Sequence, residues 1–110
     1  MDGKSLQPRR FERYKVDLEV VIQGQGGPIP ARITQISRGG CMVFPALPPQ
    51  PTPFLRLSFR LSPELPPINC IGEIIYSIEE RGTGISLAEI SENNQDMISQ
   101  HFGGQSPHNP

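Results

Sequence analysis

The sequence predicts an all-β fold, a small six-stranded antiparallel β-barrel with one C-terminal α-helix over an open end. Three observations carry this. Thirteen prolines and eleven glycines make turn formers of more than a fifth of the 110 residues, short runs of alternating apolar and polar residues recur between them, and a helical pattern starts only at Ser91. With 35% hydrophobic residues and a net charge of −1, the chain encloses one modest core and is not extended disorder.

The clearest strand is 14–23, where Tyr14, Val16, Leu18, Val20 and Ile22 face one way and Lys15, Asp17, Glu19 and Gln23 the other. The run from Gly24 to Pro28 should end that ladder and reverse the chain into a second strand over 29–36. Gly39 and Gly40 break the pattern before a short apolar strand, 41–44. Five prolines between Pro45 and Pro53 demand a surface loop. Residues 54–60 alternate again, 68–78 form a long strand with a bulge or bend at Gly72, and 79–82 turn it back into 83–88. A helix of about three turns follows, with Ser91 as N-cap and Met97, Ile98 and Phe102 on one face. The predicted organisation is a flexible arm (1–8), a domain (9–102) and a disordered tail (103–110).

Charge is unevenly spread. Residues 1–60 hold nine basic and four acidic side chains, residues 61–110 one basic and seven acidic. Five of the cations (Lys4, Arg9, Arg10, Arg13 and Lys15) fall in the first fifteen residues, which suits a small anion better than a long polyanion. The start has no apolar signal-peptide region and no run of eighteen apolar residues occurs, so neither export by that route nor membrane insertion is expected. Cys41 and Cys70 have no metal-ligand spacing and read as two reduced, partly buried thiols.

Two clusters have chemical potential. Arg9 and Arg13 are four apart and share a side whether extended (~13 Å between Cα atoms) or helical (~6 Å). Each guanidinium offers a donor fork for phosphate oxygens and a flat face for an aromatic base. In Gln35-Ile36-Ser37-Arg38-Gly39-Gly40, Gln35 and Ser37 project to one face while Ile36 enters the core, and the glycines permit positive φ and close approach of a ligand.

In order, separation and surrounding strands, Arg9-Arg10-Phe11-Glu12-Arg13 and Gln35-Ile36-Ser37-Arg38-Gly39-Gly40 resemble the RxxxR and [D/N]xSxxG motifs of the PilZ domain, a bacterial receptor module for cyclic di-GMP. The strand Thr83-Gly84-Ile85-Ser86-Leu87 before the last helix extends the resemblance, which covers residues 8 to 102. It implies a PilZ-like split barrel, cytoplasmic, monomeric or weakly dimeric, with no cofactor beyond the ligand cyclic di-GMP. The implied contacts are Arg9, Arg10 and Arg13 on phosphates and guanine faces, and Gln35, Ser37, Arg38, Gly39 and Gly40 beneath the base or phosphate edge. Binding would order the arm and present a surface to an unidentified downstream protein. Gln35 departs from the motif's Asp or Asn, and losing a charge-assisted bond to guanine should cost roughly 1–2 kcal/mol.

Other classes fit less well. His101 and His108 have no nucleophile partner, and Asp17 and Glu19 read as charges on a solvated strand, so no enzyme is expected. The seven aromatics do not form a base-stacking patch, which argues against a nucleic acid polymer. The rival is a PilZ-like adaptor that no longer binds the dinucleotide and works through protein contacts alone.

Overall fold

Every predicted strand pairs with two neighbours, and the ring of pairings closes. The computed structural model describes residues 12–24 and 26–103. Its strands are β1 (Tyr14–Gly24), β2 (Gly27–Ile36), β3 (Gly40–Phe44), β4 (Phe54–Phe59), β5 (Ile68–Ile78) and β6 (Gly82–Glu89). They form a closed antiparallel barrel in the order β1-β2-β3-β6-β5-β4, with β4 hydrogen-bonded back to β1. Among the described residues each strand is thus paired on both sides over part of its length, while the 27–31 end of β2 pairs with β1 alone.

Alternation places the core as expected. Val20 and Ile22 of β1, Ile33 and Ile36 of β2, Val43 of β3, Leu57 and Phe59 of β4, Ile68 of β5 and Ile85 of β6 are all under 4% exposed and fill the interior. On the outer face, Arg32 pairs across the β1–β2 ladder with Asp17 and Glu19, so those carboxylates belong to a solvated charge cluster.

The first hairpin departs from expectation. Pro28 and Pro30 lie within β2, opposite Gln23 and Val21, rather than ending the ladder. The reason is that β3 pairs with β2 only from Arg32 onward, so this end of β2 meets no strand on its second side and loses nothing there by lacking N–H groups. The reversal is tight, with Gly27 at φ +120°.

The proline-rich segment after β3 runs over the surface, yet it anchors Leu47 in the core. The Leu47 N–H donates to the Thr83 hydroxyl oxygen at 2.8 Å, and that hydroxyl pairs with Ser77 Oγ at 2.8 Å. Thr83 is fully buried, and the network satisfies polar groups that would otherwise be stranded.

The closing helix is shorter than three α-helical turns. α1 spans Glu92–Ile98, capped by Ser91, whose side chain accepts from Asn94 N–H, and continues as a π-helical turn over Ser99–Gly103. The widened turn brings Phe102 onto Tyr14, ring centroids 5.6 Å apart, while Ile98 is completely buried. The helix thus covers the barrel end where β1 begins. It is the one α-helix among the described residues, and no described helix is long and apolar enough to cross a membrane.

Candidate functional site

The site begins with a break in β2. Up to Ile33 the odd-numbered residues point inward, but the register with β3 shifts between Ile33 and Gln35, and the register with β1 shifts between Lys15 and Leu18. This bulge returns Ile36 to the core at 1% exposure and sets Gln35 and Ser37, both half-buried, on the outer wall. The Lys15 register position lies directly opposite Gln35.

Past Ile36 the chain turns a corner held by its own backbone. Ser37 N–H donates to Gly40 O at 2.8 Å, Gly39 N–H donates to Ser37 Oγ at 3.2 Å, and Gly39 O accepts from Leu87 N–H at 2.9 Å. Neither Gly39 nor Gly40 has a positive φ, contrary to the sequence expectation; among the described residues only Gly27 and Gly82 do. Gly40 is needed for proximity instead, since a Cβ there would stand 2.9 Å from the Ile85 carbonyl oxygen of β6.

The facing wall comes from β5 and β6. The register shifts on β5 between Ile71 and Glu73, around Gly72 as expected, and again between Ile74 and Tyr76. The second shift turns Ile75 and Tyr76 outward at 58% and 47% exposure. Tyr76 packs over Gly84, and its hydroxyl donates to Met42 Sδ at 3.0 Å. Between the walls lies a cleft of about 290 Å³, at the lower bound of small-molecule sites.

Arg13, Gln35, Ser37, Gly39 and Gly40 all line this cleft, so five predicted site residues converge. Arg9 and Arg10 lie outside the described residues, as do arm 1–8 and the tail from 104. Arg38 is not in the lining. Its guanidinium donates to Asp96 Oδ1 at 2.8 Å and Ser99 Oγ at 3.2 Å, and its carbonyl accepts from Gln95 Nε2 at 3.0 Å, so it ties the corner to α1.

The sequence reading missed Met42, Ile75, Tyr76, Gly84 and Ser86, which also line the cleft. One signal was available, because Ile74-Ile75-Tyr76 puts three apolar residues in a row inside an alternating strand. Cys41 lies at the cleft floor, 6% exposed. Burial, and to a lesser degree the neighbouring Cys70, pushes its thiol up to about 12, and burial pushes Cys70 to about 11, so both are neutral. No carboxylate lines the cleft among the described residues; its formal charge there is the guanidinium of Arg13.

The arrangement suits a planar, anionic ligand. Arg13 offers a phosphate fork and a stacking face, Gln35 and Ser37 offer donors and acceptors, and Tyr76 offers a ring. Comparison with known proteins agrees with that form. The PilZ domain family model matches residues 7–104. The structure of the Bacillus subtilis inhibitor of motility (MotI/DgrA) is similar with a TM-score of 0.75 and 25% identity, covering 94% of this chain and 55% of that one, so this chain spans about half the length of that protein. The PilZ domain of CeSA from a cellulose-synthesizing bacterium is similar in fold, with a TM-score of 0.58 and 18% identity over 84% of this chain and 96% of that one. No curated protein matches the sequence.

Proposed function

The chain belongs to the PilZ domain family, and from that membership we propose that it is a cyclic di-GMP receptor which passes the occupancy of its cleft to a separate protein partner. One observation supports this reading above the others, namely that Arg13, Gln35, Ser37 and the Gly39–Gly40 corner line one cleft although twenty-one residues separate the motifs.

In this reading Arg13, with Arg9 and Arg10 from the leader, binds phosphate oxygens and stacks on guanine. Gln35 and Ser37 meet the base edge, and the glycine corner lets the ligand lie close to backbone. Tyr76 supplies the opposite stacking face. Arg38 acts on the output side: a shift of the corner on binding moves its carbonyl and guanidinium, and with them Gln95 and Asp96 of α1. The protein is a binding module rather than an enzyme, acting in the cytoplasm. Similarity to an inhibitor of motility is in keeping with an output exerted on another protein.

The test is calorimetric titration of cyclic di-GMP into the wild type and the Arg9→Ala, Arg13→Ala and Gln35→Asp variants. Micromolar binding, lost in both arginine variants and tightened about tenfold by the charged acceptor of Gln35→Asp, is expected. Absence of heat in every variant would overturn the receptor reading and leave a ligand-free adaptor.

A further inference from the structure

A second cavity, about 300 Å³ and thus as large as the cleft, lies between β5 and the proline-rich segment that joins β3 to β4, and it shares no lining residue with the cleft. Pro48, Pro49, Pro51 and Pro53 line one side and Ile74 and Ser77 the other, and no charged side chain lines it among the described residues. Proline has no N–H, so that wall presents ring carbons and few donors. The segment is fixed at both ends, by the bond from Leu47 N–H to Thr83 Oγ1 and by the Pro53 carbonyl, which accepts from Ile74 N–H at 2.8 Å, while the prolines between lock φ. The cavity is therefore preformed.

Hydrogen-bond accounting assigns it one donor. Thr83 is fully buried and its Oγ1 accepts from Leu47 N–H, so the acceptor left for its own proton among the described residues is Ser77 Oγ, 2.8 Å away. Thr83 donates to Ser77. The Ser77 proton then has no described partner, and Ser77 lines the cavity.

We propose that this cavity is a second ligand site, for a small neutral ring compound carrying one acceptor oxygen, of which an aryl ketone is the simplest form. The lining holds no charge to offset an ionised ligand, and at the lower bound of ligand pockets the volume admits one or two rings. Proline rings pack against flat aromatic faces, and the Ser77 hydroxyl meets the oxygen. The site uses none of the residues given to cyclic di-GMP and goes beyond the receptor reading, so failure of either leaves the other standing.

The experiment follows amide and methyl NMR signals of the full chain during titration with acetophenone, with α-methylstyrene, in which a methylene group replaces the oxygen, and with benzoate, in the wild type and in Ser77→Ala. Both neutral compounds should give saturable shifts at Leu47, Thr52, Ile74 and Ser77, and benzoate should leave those signals in place. Ser77→Ala should weaken acetophenone about three- to tenfold, the worth of one hydrogen bond, and leave α-methylstyrene within about twofold of wild type, which also reports that the cavity is intact. Absence of saturable shifts with the neutral compounds, shifts confined to cleft residues 35–42, or equal binding of benzoate at the cavity overturns the site. Equal effects of Ser77→Ala on ketone and hydrocarbon overturn the role of Ser77, and with it the ligand class.

Discussion

The ring of Tyr76 lies so close over Gly84 that a Cβ at that glycine would stand 2.6 Å from the tyrosine Cζ. The missing side chain on β6 is therefore what seats the aromatic wall of the cleft. Gly84→Ala should push the ring away, because the clash is with a side chain that has room to swing outward. The expected outcome is a loss of cyclic di-GMP affinity equal to that of Tyr76→Ala, about tenfold for one stacking face, with stability changed by less than ~1 kcal/mol. The double variant should lose no more than either single one, a coupling that calorimetry on the four proteins checks.

Arg38 separates contact from transmission. Removing its bonds to Asp96 and Ser99 should loosen α1 against the corner, at a cost of about 1 kcal/mol or less because both side chains of the ion pair are partly solvated. Arg38→Ala is expected to lower the melting temperature by a few degrees while leaving ligand affinity within about threefold of wild type. A loss of affinity comparable to that of Arg13→Ala, measured by the same titration, would instead put Arg38 in contact with the ligand.

Thr83 is a polar group the core depends on. In Thr83→Val the shape is kept, but the Leu47 N–H and the Ser77 hydroxyl lose their buried partner, which should cost about 1–3 kcal/mol. Thr83→Ser retains the hydroxyl and should recover most of that loss. Urea unfolding of the three proteins measures the difference.

The two thiols give a pH signature. Their values rise on folding, to about 12 for Cys41 and about 11 for Cys70, so the folded state holds their protons more tightly than the unfolded chain does. Stability from this source is complete below about pH 8.5, the ordinary thiol value, and is lost as pH climbs through 11 and 12. Denaturant midpoints should fall steadily above about pH 9, and less so in Cys41→Ala once its own cavity cost is subtracted at pH 7. At pH 8 both thiols should react slowly with a thiol reagent in the native protein and fast in denaturant.

Particular residues show how far the sequence reached. The alternation of 14–23 and of 54–60 identified strands and their inward faces, and Ser91 announced the helix start, because side-chain direction along a strand and capping at a helix end are decided by neighbours in the chain. That Gln35 and Ser37 share a wall opposite Ile36 was legible for the same reason, whereas the slip that lets Ile36 face inward after Ile33 came only with the β2–β3 ladder. The change from α to π geometry was not, since the widened turn at Ser99–Gly103 answers to Tyr14, eighty-odd residues away.

By itself, then, the sequence determined the β-rich class, the six strands, the terminal helix and two polar motifs able to meet an anionic ring system. The tertiary structure alone decided which strands neighbour each other, where the ladders slip by a residue, and hence that Tyr76 faces the cleft while Arg38 faces α1. The physical reason is one of range. Period-two patterning is written in adjacent residues, whereas a bulge is a mismatch between two ladders and exists only once β2 has met β3 and β5 has met β6.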